Sequence, residues 1–177
     1  MKGFTSQNPV LGGMNLMSNE IKAGILTISD RSAAGTTDDL SGPLIEKALQ
    51  RESYEVVFRS IVPDEQNEIE EWLIGHHAQC DVIFTTGGTG FAPRDITPEA
   101  TRRVIEREAP GLSDLLRWSG YSKNPRAALS RGVAGTRGSC LIINLPGSTR
   151  AVSEGLEVIL PLLAHIVSLM KNEPVDH

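Results

Sequence analysis

Residues 85–100 combine glycines with hydroxyl side chains, a composition typical of a loop that binds phosphate esters. The glycines let the chain turn tightly, so that backbone N–H groups can approach a ligand closely. The hydroxyls can donate further hydrogen bonds to phosphate oxygens. A glycine-rich turn is often only a turn, and this one matches neither the Walker A pattern nor G-x-G-x-x-G. The residues concerned are Thr86, Gly87, Gly88, Thr89 and Gly90.

Arg94 and Asp95 add a cation and a carboxylate to the same segment. Mg²⁺ in proteins is held by one or two carboxylates together with waters and substrate phosphates. Asp64, which follows another predicted strand, is a second carboxylate of suitable type. A simpler interpretation makes Asp64 the N-cap of a helix, and another makes Arg94 and Asp95 a surface ion pair of little energetic weight. The alternative acidic residues are Asp30, Asp38 and Asp39.

Residues 144–148, Asn-Leu-Pro-Gly-Ser, repeat the order of strand, glycine, hydroxyl and helix start. Arg150 adds a positive charge just inside the predicted helix. The N-terminus of a helix suits an anion because its first backbone N–H groups have no partner within the helix. Pro-Gly is also common in turns that bind nothing. Two such turns in one chain nevertheless predict two phosphate-bearing ligands.

The elements that must position these residues follow from the apolar pattern. Apolar, β-branched runs predict strands at residues 22–29, 54–62, 81–85 and 141–145, with a short bent strand within 132–138. Apolar residues at helical spacing predict helices at 42–51, from Asp64 onward, and at 98–107, 112–119 and 151–170. Residues 30–41 are expected to form a polar loop. Thr97 suits an N-cap and Pro98 the first position of a helix.

Strands that alternate with helices predict an α/β fold with three layers, α/β/α, around a mostly parallel central sheet. Ligands of such sheets bind beyond the carboxyl ends of the strands. Four polar segments follow predicted strands, and the topology therefore brings them to one rim of the sheet. These segments are residues 29–30, 63–64, 85–95 and 146–148.

Length and composition fit one domain. The chain has 177 residues, of which 40% are hydrophobic, and a formal net charge of -5, so a general nucleic-acid interface is not expected. We find no stretch that approaches the ~20 apolar residues of a membrane span. Cys80 and Cys140 read as small buried residues or free thiols, which fits a reducing cytosol. We expect a disordered N-terminal extension (1–20), one folded domain (21–172) and a short C-terminal tail (173–177).

Several motifs agree in order and spacing with one known family. Besides residues 85–100, they are Ile-Ser-Asp at 28–30, Val-Pro-Asp-Glu at 62–65, Leu-Ser-Arg-Gly at 129–132 and Asn-Leu-Pro-Gly-Ser at 144–148. In these motifs the chain resembles the molybdopterin-binding family. That family includes the MogA-type molybdopterin adenylyltransferases, the MoaB proteins, and the G domains of gephyrin and its plant counterpart.

The resemblance implies a cytoplasmic homotrimer that transfers AMP from ATP to the terminal phosphate of molybdopterin with the help of Mg²⁺. The products would be adenylylated molybdopterin and pyrophosphate, and a downstream molybdenum insertase is a possible partner. Asp64 and Asp95 are implied as catalytic acids and metal ligands. The implied nucleotide-binding residues are Ser29, Asp30, Ser41, Thr86, Gly87, Gly88, Thr89 and Gly90. The implied molybdopterin-binding residues are Ser130, Arg131, Pro146, Gly147 and Ser148.

Two other functions are compatible with the same resemblance. One is a MoaB-like protein that binds molybdopterin with little or no adenylylation. The other is an interaction scaffold, because gephyrin joins enzyme domains to a clustering role. The short chain, without a linker or second domain, disfavours the scaffold.

Overall fold

A six-stranded sheet lies at the centre of the fold, which a computed structural model describes for residues 21–172. The strands are β1 (Lys22–Ile28), β2 (Glu55–Val62), β3 (Val82–Thr86), β4 (Arg107–Glu108), β5 (Ala134–Arg137) and β6 (Cys140–Leu145). Their order is β2-β1-β3-β6-β5-β4. The first four in this order are parallel, whereas β5 is antiparallel to β6 and β4 to β5. The expected extension (1–20) and tail (173–177) lie outside the described residues.

Helices cover both faces of the sheet, which confirms the predicted α/β/α layers. They are α1 (Asp30–Ala33), α2 (Ser41–Arg51), α3 (Gln66–His76), α4 (Thr97–Val104), α5 (Pro110–Tyr121) and α6 (Thr149–Met170), with short 3-10 helices at His77–Gln79 and Pro125–Leu129. One hydrophobic core lies between the sheet and the layer of α2, α5 and α6. The other lies between the sheet and the layer of α3 and α4.

The central strands form where the sequence is mostly apolar. Every residue of β3 and β6 is buried, as is every residue of β1 after Lys22. A parallel sheet covered on both faces requires apolar side chains on both. Successive side chains point to opposite faces, so Ile25 lies in the core with α2 and α6, whereas Leu26 lies in the core with α3 and α4.

The C-terminal helix α6 is a long apolar core helix. By length and composition alone it would also pass as a membrane span, so the expectation that no stretch approaches that length was wrong. Its buried side chains lie along one face, at the spacing of an amphipathic helix, and pack in the core with α2 and β6. They include Val152, Leu156, Ile159, Leu163 and Val167.

Residues 30–41 contain a helical turn where a polar loop was predicted. Asp30–Ala33 form α1, and the Ser29 hydroxyl oxygen caps this turn by accepting a hydrogen bond from the Ser32 N–H at 3.2 Å. A short turn of this kind has no apolar period, so the sequence pattern could not reveal it.

Several predicted helix boundaries were wrong by one to three residues. The helix predicted for 98–107 ends at Val104, because Arg107–Glu108 leave it to pair with β5 as the edge strand β4. The helix predicted for 112–119 begins earlier, at Pro110. Proline suits the first turn of a helix, where its missing N–H would have no partner.

Asn144, on β6, forms a buried polar network inside the otherwise apolar sheet. Its Nδ2 donates to the hydroxyls of Thr85 and Thr101, each at 2.9 Å, and its Oδ1 accepts from the Val133 N–H at 3.1 Å. The Asn144 side chain thus connects β3, α4 and Val133, the residue just before β5. A buried polar group that loses its partner retains the full cost of its desolvation.

We therefore expect the Asn144→Leu variant to lower the free energy of unfolding by about 1–3 kcal/mol, because the Val133 N–H loses its acceptor. Urea denaturation of both proteins measures this difference. The matched control is Gln50→Leu on the exposed side of α2, which should shift the free energy of unfolding by less than about 0.5 kcal/mol. Equal effects at the two positions would contradict the structural importance of the Asn144 network.

Candidate functional site

The four polar segments predicted to share one rim do meet there. The Asp30 N–H, after β1, donates to Asp64 Oδ2 at 2.9 Å, and the Asp64 N–H, after β2, donates to Asp30 Oδ1 at 3.0 Å. The Thr86 hydroxyl, at the end of β3, donates to the carbonyl of Pro146 beyond β6 at 2.7 Å. The carboxyl ends of the parallel strands are thus connected in two pairs, β1 with β2 and β3 with β6.

The glycine loop (residues 87–96), between β3 and α4, depends on the absence of side chains. Gly87 has φ +100° and Gly88 has φ +60°, a region that other residues rarely adopt. A Cβ at Gly87 would collide with the Ile28 carbonyl oxygen, and a Cβ at Gly147 would lie 3.3 Å from the Gly87 Cα. The loop therefore packs directly on the backbone of β1 and of the second turn (residues 146–148).

Asp64 and Asp95 lie against this loop. A Cβ at Gly88 would lie 2.9 Å from Asp64 Oδ1, and a Cβ at Gly90 would lie 2.8 Å from Asp95 Oδ2. Asp95 Oδ2 also accepts a hydrogen bond from the Ala92 N–H at 2.8 Å. The glycines thus leave room for two carboxylates beside the backbone of the loop.

Neither predicted cap at this rim is present. The N-cap of α3 is Glu65, so the alternative interpretation of Asp64 as a helix cap was wrong. Thr97 is the first residue of α4 instead of its N-cap. Its hydroxyl donates to the Gly87 carbonyl at 2.9 Å and holds the glycine loop. A residue type that often caps helices thus forms a tertiary hydrogen bond here instead.

Arg94 neutralises Asp30, not Asp95. Its Nε and Nη2 donate to both oxygens of Asp30 at 2.9 and 2.7 Å, and its Nη1 lies 2.9 Å from Glu65 Oε1. The alternative interpretation as an Arg94–Asp95 pair was therefore wrong. The Arg94 hydrogen bonds, followed by the one from the Asp64 N–H, lower the pKa of Asp30.

Asp39 was another candidate acidic residue, but its carboxylate accepts hydrogen bonds from protein groups. Its Oδ1 accepts from the backbone N–H groups of Ser41 and Gly42 at 3.1 and 2.9 Å, and its Oδ2 accepts from the Thr27 hydroxyl at 3.0 Å. The Ser41 hydroxyl in turn donates to the Gly147 carbonyl at 3.0 Å. Asp39 thus anchors the start of α2 against the second turn.

The surroundings of Asp64 favour a bound cation. Burial raises the pKa of Asp64, and the negative charges of Asp30 and Asp95 raise it further, against the opposing effect of the hydrogen bond from the Asp30 N–H and of the Arg94 charge. Asp64 therefore lies in a partly buried position, close to two other carboxylates, where its negative charge is disfavoured mainly by the loss of solvent. A cation between Asp64 and Asp95 would offset that negative charge.

The donor set fits Mg²⁺ better than a metal that needs a protein cage. Within residues 21–172 no three side chains of His, Cys, Asp or Glu cluster to hold a metal ion. Mg²⁺ needs only one or two carboxylates when substrate phosphates and waters complete its shell. Asp64 and Asp95 each use Oδ2 in a hydrogen bond to the protein, and among the described residues Oδ1 of each has no such partner.

Two clefts open beside the glycine loop. The acidic cleft, about 520 Å³, lies over the end of β1, α1 and the start of α2. The α5 cleft, about 420 Å³, lies between α5, the 3-10 helix Pro125–Leu129 and the second turn. Both have the size of small-molecule sites. They share three lining residues, Gly88, Asp95 and Gly147.

The predicted site residues divide between these clefts. The acidic cleft is lined by Ser29, Asp30, Ser41, Asp64, Thr86 and Gly87. The α5 cleft is lined by Thr89, Gly90, Ser130, Pro146 and Ser148. Arg131 lines neither cleft and binds the glycine loop instead.

Sequence reasoning did not predict the contacts that hold the site together. Asn144, Asp39 and Thr97 support it through hydrogen bonds to partners 10 or more residues away. Arg117, on α5, donates to the carbonyl of Gly132 at 3.0 Å and lines the α5 cleft. The only sequence signal was the position of Asn144 and Thr97 inside motifs, which indicates proximity but no specific contact.

Both cysteines are buried free thiols, as predicted. Burial, the larger cause, and the nearby charge of Asp81 raise the pKa of Cys80 to about 11. Burial also raises the pKa of Cys140. A buried thiol with a raised pKa is a poor nucleophile and metal ligand, so the site does not use them.

The chain is similar to known proteins over nearly its whole described length. Residues 24–165 match the family described as a probable molybdopterin binding domain. A molybdopterin adenylyltransferase of Helicobacter pylori is 42% identical over 154 residues, 85% of this chain and 88% of that protein. The molybdenum cofactor synthesis protein cinnamon of Drosophila melanogaster is 43% identical over 86% of this chain, which spans only 26% of that protein. The crystal structure of MoaB, a molybdopterin biosynthesis enzyme from Thermus thermophilus, is 46% identical, with a TM-score of 0.81 over 88% of this chain and 99% of that one.

We expect Gly87→Ala to destabilise the protein, because the new Cβ meets the Ile28 carbonyl and φ is positive. A strained backbone of this kind costs about 1–3 kcal/mol in the free energy of unfolding, measured by urea denaturation. The control is Gly75→Ala in α3, where a Cβ meets nothing. It should stabilise by about 0.5–1 kcal/mol. A neutral Gly87→Ala variant would show that the close packing of the loop is dispensable.

Proposed function

Because this chain belongs to the molybdopterin-binding family, we propose that it is a molybdopterin adenylyltransferase acting in molybdenum cofactor biosynthesis. Two clefts that share Gly88, Asp95 and Gly147 are the observation that carries this proposal. A transfer between two phosphate-bearing substrates needs two sites that meet at the reacting atoms. The function named for the Helicobacter pylori relative, 42% identical to this chain, is such a transfer.

The acidic cleft is the proposed site of ATP with Mg²⁺. A triphosphate beside Asp64 and Asp95 requires a cation, and these two carboxylates would hold it through their Oδ1 atoms. The backbone N–H groups of the glycine loop would contact the phosphates. The remaining proposed nucleotide contacts are Ser29, Asp30, Ser41, Thr86, Gly87 and Gly88, whereas Thr89 and Gly90, which the family resemblance also implied, line the α5 cleft.

The α5 cleft is the proposed site of molybdopterin. The second turn caps α6, since the Ser148 hydroxyl oxygen accepts from the Ala151 N–H at 3.3 Å. Ser148 and Ala151 also line the cleft, so the N-terminus of this long helix lies at its wall and suits the terminal phosphate of the pterin. The proposed contacts are Ser130, Pro146, Gly147 and Ser148.

In the proposed reaction, an oxygen of the molybdopterin phosphate attacks the α-phosphorus of ATP. A new P–O bond forms, the bond from the α-phosphorus to the bridging oxygen breaks, and pyrophosphate leaves with that electron pair. Protein groups contribute by alignment and by charge complementarity. Asp95 lies at the junction of the clefts, and Asp64 lies behind Gly88. When bound, Mg²⁺ supplies neutralisation of the charge that develops on the leaving group.

Incubation of the protein with MgATP and molybdopterin tests the proposal, with adenylylated molybdopterin and pyrophosphate as products. A protein that binds molybdopterin and forms no product would instead be a MoaB-like binder. This second function is supported by the 46% identity to MoaB of Thermus thermophilus.

We expect Asp95→Asn to lower turnover by on the order of 10²–10³, the typical cost of one transition-state electrostatic contact. Asp64→Asn should lower it similarly, since Asp64 is not a helix cap. Both variants should remain folded and bind molybdopterin, measured by calorimetry. The control is Glu55→Gln, an exposed carboxylate at the start of β2, at the far end of the sheet, which should keep full turnover. If Asp95→Asn kept full turnover at saturating MgATP, Asp95 would be structural.

A cytoplasmic homotrimer is the proposed state of the protein. Large apolar side chains on α5 and the 3-10 helix Pro125–Leu129 remain exposed in one chain, among them Trp118 at 78% and Tyr121 at 57%, and such exposure marks association surfaces. Buried free thiols fit a reducing compartment. A downstream molybdenum insertase stays a prediction from the family resemblance.

We expect sedimentation equilibrium at micromolar concentration to give three times the 19.1 kDa mass of the chain. Trp118→Glu should shift the protein toward monomers if this surface contributes, because a charge in an apolar interface is costly. A wild-type monomer at this concentration would overturn the trimer.

A further inference from the structure

We propose that Arg131 is a positioning residue that sets the place of Asp95 by clamping the glycine loop from within the protein. The inference rests on the proposed function and departs from the role of molybdopterin ligand that the family resemblance implied for Arg131. It is carried by four contacts between Arg131 and residues 89–99.

The guanidinium group of Arg131 spans the outer part of the glycine loop. Its Nε donates to the Gly90 carbonyl at 2.6 Å, and its Nη2 donates to the Asp95 carbonyl at 2.6 Å. The Arg131 backbone N–H also donates to the Thr89 carbonyl at 2.9 Å. Both ends of the segment 90–95 are therefore attached to one planar group.

These contacts determine where the Asp95 carboxylate lies. The segment closes on itself, because the Asp95 N–H donates to the Ala92 carbonyl at 2.9 Å and the Ala92 N–H donates to Asp95 Oδ2 at 2.8 Å. Arg131 holds the carbonyl of the same Asp95. With its backbone and one carboxylate oxygen both fixed, Asp95 presents its Oδ1 in one direction only.

Charge pairing holds the Arg131 side chain, which is 28% exposed, against α4. Its Nη1 donates to Glu99 Oε1 on α4, and Glu99 Oε2 is buried without a hydrogen-bond partner among residues 21–172. The Phe91 ring covers the guanidinium at 5.7 Å. Withdrawal of Arg131 toward a ligand would leave the Glu99 carboxylate uncompensated, which is costly for a partly buried charge.

The clamp also links the two clefts. Ser130, which precedes Arg131, lines the α5 cleft, whereas Asp95 lines both clefts. A lysine could not replace Arg131, because a single ammonium group cannot donate to two carbonyls and a carboxylate in the fork geometry of a guanidinium.

The test compares Arg131→Lys and Arg131→Met with the wild-type protein. Both variants should lower kcat on the order of 10–100-fold, since a displaced reacting group costs about that much. They should raise the Mg²⁺ concentration needed for half-maximal rate and leave molybdopterin affinity unchanged. Arg131→Lys should lose less than Arg131→Met, since the ammonium can keep one of the contacts.

Hydrogen exchange followed by mass spectrometry provides a readout that does not depend on activity. Amides of residues 88–95 should exchange faster in both variants, while those of β3 and β6 stay as in the wild type. The matched control is Arg103→Lys on the exposed side of α4, whose arginine side chain is 67% exposed. It should change neither exchange nor kinetics.

The outcomes separate the two proposals. Absence of adenylylation by the wild-type protein would overturn the proposed function, while the exchange experiment would still test the clamp. Unchanged exchange of residues 88–95 in Arg131→Met would overturn the clamp. Loss of molybdopterin affinity with an unchanged Mg²⁺ requirement would also overturn it and would identify Arg131 as a ligand of the pterin.

Discussion

The close packing of the glycine loop on two neighbouring backbones is the constraint on which the rest of the site depends. Gly87 contacts the Ile28 carbonyl at a positive φ, and Gly147 of the second turn lies directly over Gly87. The Thr86 hydroxyl ties the loop to the Pro146 carbonyl. Because three chain segments meet without intervening side chains, the two clefts share one wall. The residues common to both walls are Gly88, Asp95 and Gly147.

The charge at the rim depends on which of its carboxylates are paired with other protein groups. Asp30 is paired with Arg94, and Asp39 accepts backbone N–H groups at the start of α2. Asp64 and Asp95 remain: Asp64, whose pKa burial raises, lines the acidic cleft, and Asp95 lines both clefts. The protein thus pairs the acidic residues that shape the site and leaves Oδ1 of Asp64 and of Asp95 without a hydrogen bond from the described residues. This difference distinguishes the two proposed metal ligands from the neighbouring carboxylates.

Much of the polar chemistry at this rim holds the protein together and does not face a ligand. Thr97, Asn144 and Arg131 sit within or beside the motifs, yet their side chains bond to protein groups. A parallel sheet ends in four separate strands, and nothing in its ladder fixes the loops beyond them. Hydrogen bonds from these side chains supply that fixation. A precise site at the end of a sheet therefore needs a supporting shell of this kind.

The sequence by itself determined the α/β/α architecture, the central strands and the rim where the polar segments meet, because apolar runs and strand-to-helix turns are local signals. It also identified Asp64, Asp95 and the glycine motif as candidates, because glycines, hydroxyls and carboxylates in one short segment are local too. Tertiary structure alone decided that Thr97 holds the loop instead of capping α4, that Arg94 pairs with Asp30, and that Arg131 clamps the loop. Each of these outcomes is a competition between hydrogen-bond partners, and partners up to 64 residues apart are brought together only by the folded sheet.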